Sequence, residues 1–305
     1  MTYEEKLAQF TEQVESGGKV ETQDWMPDDF RRGVLKFIEM HANSEIMGAL
    51  PERECLPSAP TLKRKMSLAA KIQDEVGHAQ LLYRVAEDLG KSRDAMYDDL
   101  VNGRSKFHNV FHYPVSHWGD VAIIGWLIDG AALVTQAALL DSSYAPYTRV
   151  LKRICAEEQL HLRHGEDITL ELSSGTDAQR ELFQEALNRW WLAIIHFFGP
   201  RSNVDKDLLL RWKVKTRTNE DLRQEFLDRY VPKILELGYT FPDPVPYFAD
   251  GHWLIRDEDI DWAPLEAIKR NQGPETARRL ERRRSIHQDH RWVRETLSES
   301  DAHAA

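Results

Sequence analysis

Two Glu-x-x-His motifs, Glu75-Val76-Gly77-His78 and Glu158-Gln159-Leu160-His161, constrain this chain of 305 residues more than any other feature. Each follows a lone carboxylate at nearly the same distance. Glu45 stands 30 positions before Glu75, and Asp129 stands 29 before Glu158. On a helix, a spacing of three brings Glu and His onto one face. Two such helices, joined by two that carry one carboxylate each, make the core of a four-helix bundle built around a pair of iron or manganese ions.

The hydrophobic period places helices around all four groups. Phe30, Val34, Phe37, Ile38, His41 and Glu45 recur at helical spacing, so Glu45 falls on an apolar face. Pro51, Pro57 and Pro60 predict that this helix stops soon afterwards, leaving Glu45 close to its end. Leu68, Ile72, Glu75, His78, Leu82, Val85 and Leu89 form the stripe of a second helix that closes near Gly90. The third is the apolar run 121–140, whose only charge is Asp129. Asp141, Ser142 and Ser143 predict a tight connection and an N-cap for the fourth. Its stripe is Leu151, Ile154, Glu158, His161, Gly165 and Ile168, and it ends near 173–175. Short links make antiparallel pairs of helices one and two and of three and four, while 91–118 is long enough to be a crossover. Further helices are expected within 180–198 and 219–237, then an irregular stretch rich in Pro, aromatic residues and Asp over 239–262, then a charged helix over 275–297. We divide the chain into a helical domain, 1–237, and an extension, 238–305, packed on the bundle or on a partner.

A formal charge of −10 and a pI near 5.7 argue against nucleic-acid binding. Two cysteines, Cys55 and Cys155, give no disulfide framework and fit a reducing compartment. The first ten residues (MTYEEKLAQF) carry no apolar signal core, so a cytoplasmic protein is expected. The run 121–140 is long enough to span a bilayer, but Asp129 near its middle would be costly in lipid, and no second candidate span exists. A buried helix explains the same residues, and no membrane is expected.

Bare Glu-x-x-His pairs arise by chance and often mark only solvated helix faces. Here both sit on apolar stripes, and both have a matching carboxylate on another helix. Both histidines also follow an acid by one turn: Asp74 precedes His78, and Glu157 precedes His161. That acid is expected to hold the outer N–H of the histidine that follows it. Four unpaired carboxylates in an apolar core would be prohibitive; two divalent cations would neutralise them. Oxygen-rich ligation with one imidazole per ion suits iron or manganese over structural zinc. His41, one turn before Glu45, either supports it or is simple core. His164 lies within reach of the site's edge, and Cys155 reads as a small core residue. Gly77, Gly125 and Gly130 either leave room beside the ligands or let helices approach closely.

The segments DEVGHAQ, IDGAAL and CAEEQLHLRHG, with LGYTFPDPVP near the end, closely resemble the catalytic A subunits of bacterial phenylacetyl-CoA 1,2-epoxidase complexes, a family of ferritin-like di-iron carboxylate proteins. The likeness runs over nearly the whole chain. It implies an all-α fold: a ferritin-like four-helix bundle with a long crossover, additional helices and a C-terminal extension. It implies Glu45, Glu75 and His78 as ligands in one half of a di-iron centre, and Asp129, Glu158 and His161 in the other. The implied activity is that of a monooxygenase of phenylacetate catabolism, which puts one atom of O2 into the ring of phenylacetyl-CoA as an epoxide and releases the other as water. The implied partners are a reductase that brings NADPH electrons through FAD and [2Fe–2S], a small B subunit, and a ferritin-like non-catalytic C subunit. This chain has no Gly-rich dinucleotide fingerprint and too few cysteines for such a cluster. Coenzyme A phosphates call for cations. Lys71, one turn before Glu75, Lys106 in GRSKFHNVFHY, and Asn219 are the expected contacts, with Lys213, Lys215 and Arg217 making a further basic stretch. The competing readings are a di-iron oxygenase with another substrate, a manganese catalase, and an iron-storage or structural subunit. Storage does not need the long C-terminal part, and a structural paralogue should lack some ligands. A radical-generating protein would need a tyrosine near the ions; Tyr83 is nearest, and periodicity turns it away.

Overall fold

A computed structural model describes residues 1–296. Position 297, the end of the expected charged helix, and 298–305 of the extension lie outside the described residues. The elements are α1 (Tyr3–Glu15), α2 (Asp28–Cys55), α3 (Leu62–Glu87), α4 (Arg93–Val101), α5 (Trp118–Ile123), α6 (Asp129–Leu139), α7 (Ala145–Ser173), α8 (Asp177–Phe198), α9 (Leu208–Arg211), α10 (Asn219–Glu236), a small antiparallel hairpin β1 (Tyr247–Ala249) and β2 (His252–Leu254), α11 (Ala263–Lys269) and α12 (Thr276–Asp289). Helices α2, α3 and α7, with the continuous rod formed by α5, a π turn over Ile124–Ile128 and α6, make the central bundle. The fold is all-α, as expected, apart from the hairpin inside the stretch read as irregular.

Helix α2 overruns the predicted proline stop and carries Pro51 inside it. Proline keeps a helical φ and forfeits one rung of the ladder. Here α12 braces the last turns from outside. Arg283 donates to the carbonyl of Ile46, one residue from the carbonyl that Pro51 leaves without its donor, and Arg278 and Arg282 pair with Glu54. Glu45 therefore lies not at the end of its helix but 10 residues before Cys55, while Glu75 lies 13 residues after Leu62. The two carboxylates stand level across the hairpin.

The expected serine N-cap of α7 is not formed. Tyr144 takes the cap position with no side-chain hydrogen bond, and Pro146 in the first turn has no N–H to satisfy. Ser143 is instead spent on a tertiary tie, its hydroxyl donating to the carbonyl of Trp212 at 2.6 Å.

The rod Trp118–Leu139 is, among the described residues, the one helix long and apolar enough to cross a membrane; an 18-residue window of it has a mean hydropathy of 1.6, and 78% of that window is buried inside the protein. It is enclosed by α7, α8 and α10. Its approach to α7 is set by two glycines, since a Cβ on Gly165 would lie 2.0 Å from the carbonyl carbon of Gly125. A Cβ on Gly130 would meet the Tyr230 hydroxyl at 2.3 Å. Close packing, not open space, thus accounts for Gly125 and Gly130. Gly77 is exposed with nothing near it.

Beyond α10 the chain folds back on the bundle. The Tyr239 hydroxyl meets Ser173 Oγ at 2.8 Å, and His196 Nε2 donates to the carbonyl of Asp261 at 2.7 Å. Buried Arg279 donates to the carbonyls of Phe111 and Tyr113.

Candidate metal centre

Glu45 on α2, Glu75 and His78 on α3, Asp129 at the start of α6, and Glu158 and His161 on α7 are all buried. Ligand atoms of Glu45, Glu75, His78 and Glu158 lie within 4.8 Å of one another, and so do those of Asp129, Glu158 and His161. Glu158 belongs to both groups. One of its oxygens is 3.2 Å from His78 Nδ1, and the other is 3.2 Å from His161 Nδ1. His161 Nδ1 also faces Glu75 at 3.7 Å, and His78 Nδ1 faces Glu45 at 3.6 Å. The two imidazoles lie 5.9 Å apart between centroids. The sequence halves correspond to two overlapping clusters.

The acids expected behind the histidines are present but exchanged. Asp74 bonds not His78 on its own helix but His161 on α7, 3.0 Å from its Nε2. Glu157 bonds not His161 but His78 on α3, at 2.9 Å. The reason is directional. Each imidazole aims Nδ1 at the centre, so its Nε2 points sideways across the seam to the neighbouring helix rather than along its own. The exchange laces α3 to α7 and fixes both rings.

Lys71 is 4% exposed, with Nζ 2.6 Å from Asp129 Oδ2, 2.6 Å from Glu52 Oε1 and 4.0 Å from Glu75 Oε1. Its ammonium is held inside by carboxylates, and the side chain lines the cavity described below. Lys106 does not line the cavity described below; its ammonium bonds Asn271 at 3.1 Å. Asn219 does line that cavity, beside Lys215 and Arg217. His41 supports Glu45, with Nε2 2.9 Å from the carboxylate and Nδ1 2.7 Å from the Tyr147 hydroxyl. His164 is half-buried with an unpartnered Nε2, and burial together with Arg64 pushes its pKa down to about 4. Tyr83 turns away, as expected, to bond Asn43. Glu52 and Tyr147 were not anticipated. Both carry a legible signal: Glu52 is two turns after Glu45, and Tyr147 continues the α7 stripe of Leu151, Ile154 and Glu158.

Electrostatics show a site that holds protons and ammonium where divalent ions fit. Burial pushes Glu75 well up, and the charges of Glu158 and Glu45 push it further. Burial raises Asp129 to about 7 against the pull of Lys71. Burial also opposes the ionisation of Glu158, but hydrogen bonds from His161 and His78 outweigh it and hold that carboxylate down at about 2. His78 is driven the other way. Burial disfavours its cation, yet Glu158 and Glu45 raise it to about 10. Its buried Nδ1 nonetheless makes no well-directed hydrogen bond. That nitrogen faces Glu45 and Glu158; once its proton is displaced it is a donor, and four carboxylates with two imidazoles and no cysteine suit two divalent ions of the iron or manganese type.

A cavity of about 270 Å³ opens onto the carboxylates. Phe37, Phe111, Ile124, Ile128 and Phe197 wall it, and Lys215, Arg217 and Asn219 add its polar groups.

Four central helices that bring four carboxylates and two imidazoles together in a buried interior define the class: an all-α, ferritin-like helical protein with a carboxylate–histidine cluster that could hold metal ions. The chain belongs to the family described as Phenylacetic acid catabolic protein, whose profile matches residues 4–292. It is 41% identical over 297 residues to the A subunit of 1,2-phenylacetyl-CoA epoxidase from Escherichia coli (strain K12), an alignment covering 97% of this chain and 95% of that relative. The resemblance read from the four sequence segments is borne out.

Proposed function

We propose that this chain is the oxygen-activating component of a cytoplasmic, multicomponent phenylacetyl-CoA 1,2-epoxidase. The overall reaction consumes phenylacetyl-CoA, O2, NADPH and a proton, and yields the ring epoxide, NADP⁺ and water. The observation that carries this reading is the pair of buried clusters sharing Glu158, in a chain 41% identical to the A subunit of such an enzyme.

Glu45, Glu75 and His78 would hold one iron and Asp129, Glu158 and His161 the other, with Glu158 a member of both side-chain groups. The iron pair, when bound, supplies the redox chemistry of oxygen cleavage. The remaining work falls to the chain itself. Asp74 and Glu157 hold the imidazoles in one orientation and one tautomer. Lys71 balances the charge of Asp129 and Glu52. The apolar wall of Phe111, Ile124, Ile128 and Phe197 excludes water and accepts the aromatic ring. The thioester chain would leave past Lys215, Arg217 and Asn219, which we assign to the coenzyme A moiety in place of Lys71 and Lys106. Electrons come from a separate reductase carrying FAD and [2Fe–2S], because two cysteines cannot hold such a cluster. A small B subunit together with a ferritin-like C subunit completes the assembly, and the described part of the extension, 238–296, packs back on the bundle.

The test is turnover of phenylacetyl-CoA under ¹⁸O2 by the assembled complex with NADPH and reductase. One labelled atom in the epoxide is expected. Unlabelled product, or full turnover by the Glu75→Ala variant, would contradict the reading.

A further inference from the structure

Helices α3 and α7 run antiparallel at a constant offset: Arg64 meets Glu171, Asp74 meets His161, and His78 meets Glu157. Their outer sides are exposed along much of their length among the described residues. Leu62, Met66 and Val76 on α3 and Leu160 and Leu170 on α7 lie exposed there, Leu62 at 74% and Leu160 at 60%. The same face carries Lys63, Lys152 and Arg163, whose side chains enter no ion pair or hydrogen bond among the described residues. Unmatched cations beside apolar side chains are unexpected on a chain of net charge −10.

Directly beneath this face lie Asp74 and Glu157, half-buried, each bonded to the outer nitrogen of a histidine whose inner nitrogen faces the centre. Two hydrogen-bonded routes therefore run from surface carboxylate to imidazole to centre. None of the exposed apolar residues of this face lines the cavity, which is bounded by α2, α6 and α10 and touches α3 and α7 only through inward-facing Lys71, Glu75, Tyr147 and Glu158. Substrate and a protein partner can occupy the molecule together.

We propose that the outer face of α3 and α7 is the docking surface for the electron-donating domain of the reductase, a domain presenting an apolar patch ringed by carboxylates. The proposal rests on the oxygenase reading above. Reduced [2Fe–2S] gives up one electron per encounter and is oxidised, and two encounters supply the pair of electrons that each O2 requires. Unpaired cations steer an acidic partner and repel a second copy of this face. A surface of two helices suits the small, short-lived contacts of redox partners.

The experiment compares reduction of the iron-loaded complex by its reductase and by dithionite with methyl viologen, in rapid mixing. The variants are Lys152→Glu/Arg163→Glu and Leu160→Asp. Reduction by the reductase is expected to slow at least tenfold in each. Its dependence on salt, steep in the unaltered protein, should flatten in the double variant. Iron content and the dithionite rate should not change, which shows that the variants are folded and loaded. Unchanged reduction by the reductase overturns the proposal. So does loss of self-association or of companion-subunit binding with the reductase rate intact. Iron absent from the unaltered chain would sink the oxygenase reading itself, a separate outcome.

Discussion

Glu45 and Asp129 hold matching places in the two halves of the centre, yet they are held differently. Glu45 projects from a regular stretch of α2, and His41 and, behind it, Tyr147 brace it through bonds of 2.9 and 2.7 Å. Asp129 is the first residue after a π turn, one bond shorter in side chain, and it is drawn to Lys71 at 2.6 Å. The Glu45 cluster gathers four ligand groups and the Asp129 cluster three. A near-repeat in spacing has thus produced one preformed pocket and one in which an ammonium stands in contact with a ligand oxygen. π turns often sit at functional sites because they re-aim a single side chain. This one also lets Gly125 rest on Gly165, bringing Asp129 within reach of His161.

The comparison is broken most severely by Glu158→Ala, which removes the group common to both clusters. Iron content should fall from two toward none, and epoxidation should vanish, whereas Glu45→Ala or Asp129→Ala should each leave one cluster with its remaining donors. Metal analysis of the three variants side by side checks this.

Lys71→Met comes next. It strips a buried cation from Asp129 and Glu52, and losing one partner of such a pair costs about 3–5 kcal/mol. Urea unfolding of metal-free protein should show a loss of that order, smaller once metal is restored. Gly165→Ala forces the π turn off α7, an overpacking cost of about 1–3 kcal/mol. It should weaken metal retention at the Asp129 cluster before the Glu45 cluster.

Smaller still is a pH effect from His78. Its folded pKa, about 10, lies above its ordinary 6.5. In metal-free protein its contribution to stability is full below pH 6.5 and fades as pH rises through 10. Metal requires the neutral ring, so metal affinity should climb over the same range. Melting temperatures of metal-free and loaded protein should therefore diverge as pH rises; parallel curves would remove His78 from the ligand set.

The six inward side chains were legible because their spacing is helical and their stripes apolar. The identity of the bundle helices followed from the same pattern. The overrun of α2 through Pro51 was hidden, since the arginines that brace it lie more than 200 residues later in α12. The exchange of Asp74 and Glu157 was hidden too. Sequence distance favours the acid one turn away, while the imidazole's direction favours the helix across the seam. Lys71 was legible near the ligand stripe and read as a coenzyme A contact, because nothing local announced that Asp129 and Glu52 would converge on it.

Diffraction data collected on either side of the iron absorption edge, from crystals of active complex, test the central claim most directly. The account predicts two anomalous peaks per chain flanking Glu158, one against His78 and one against His161. A single peak, or peaks remote from these six side chains in turnover-competent material, would contradict it.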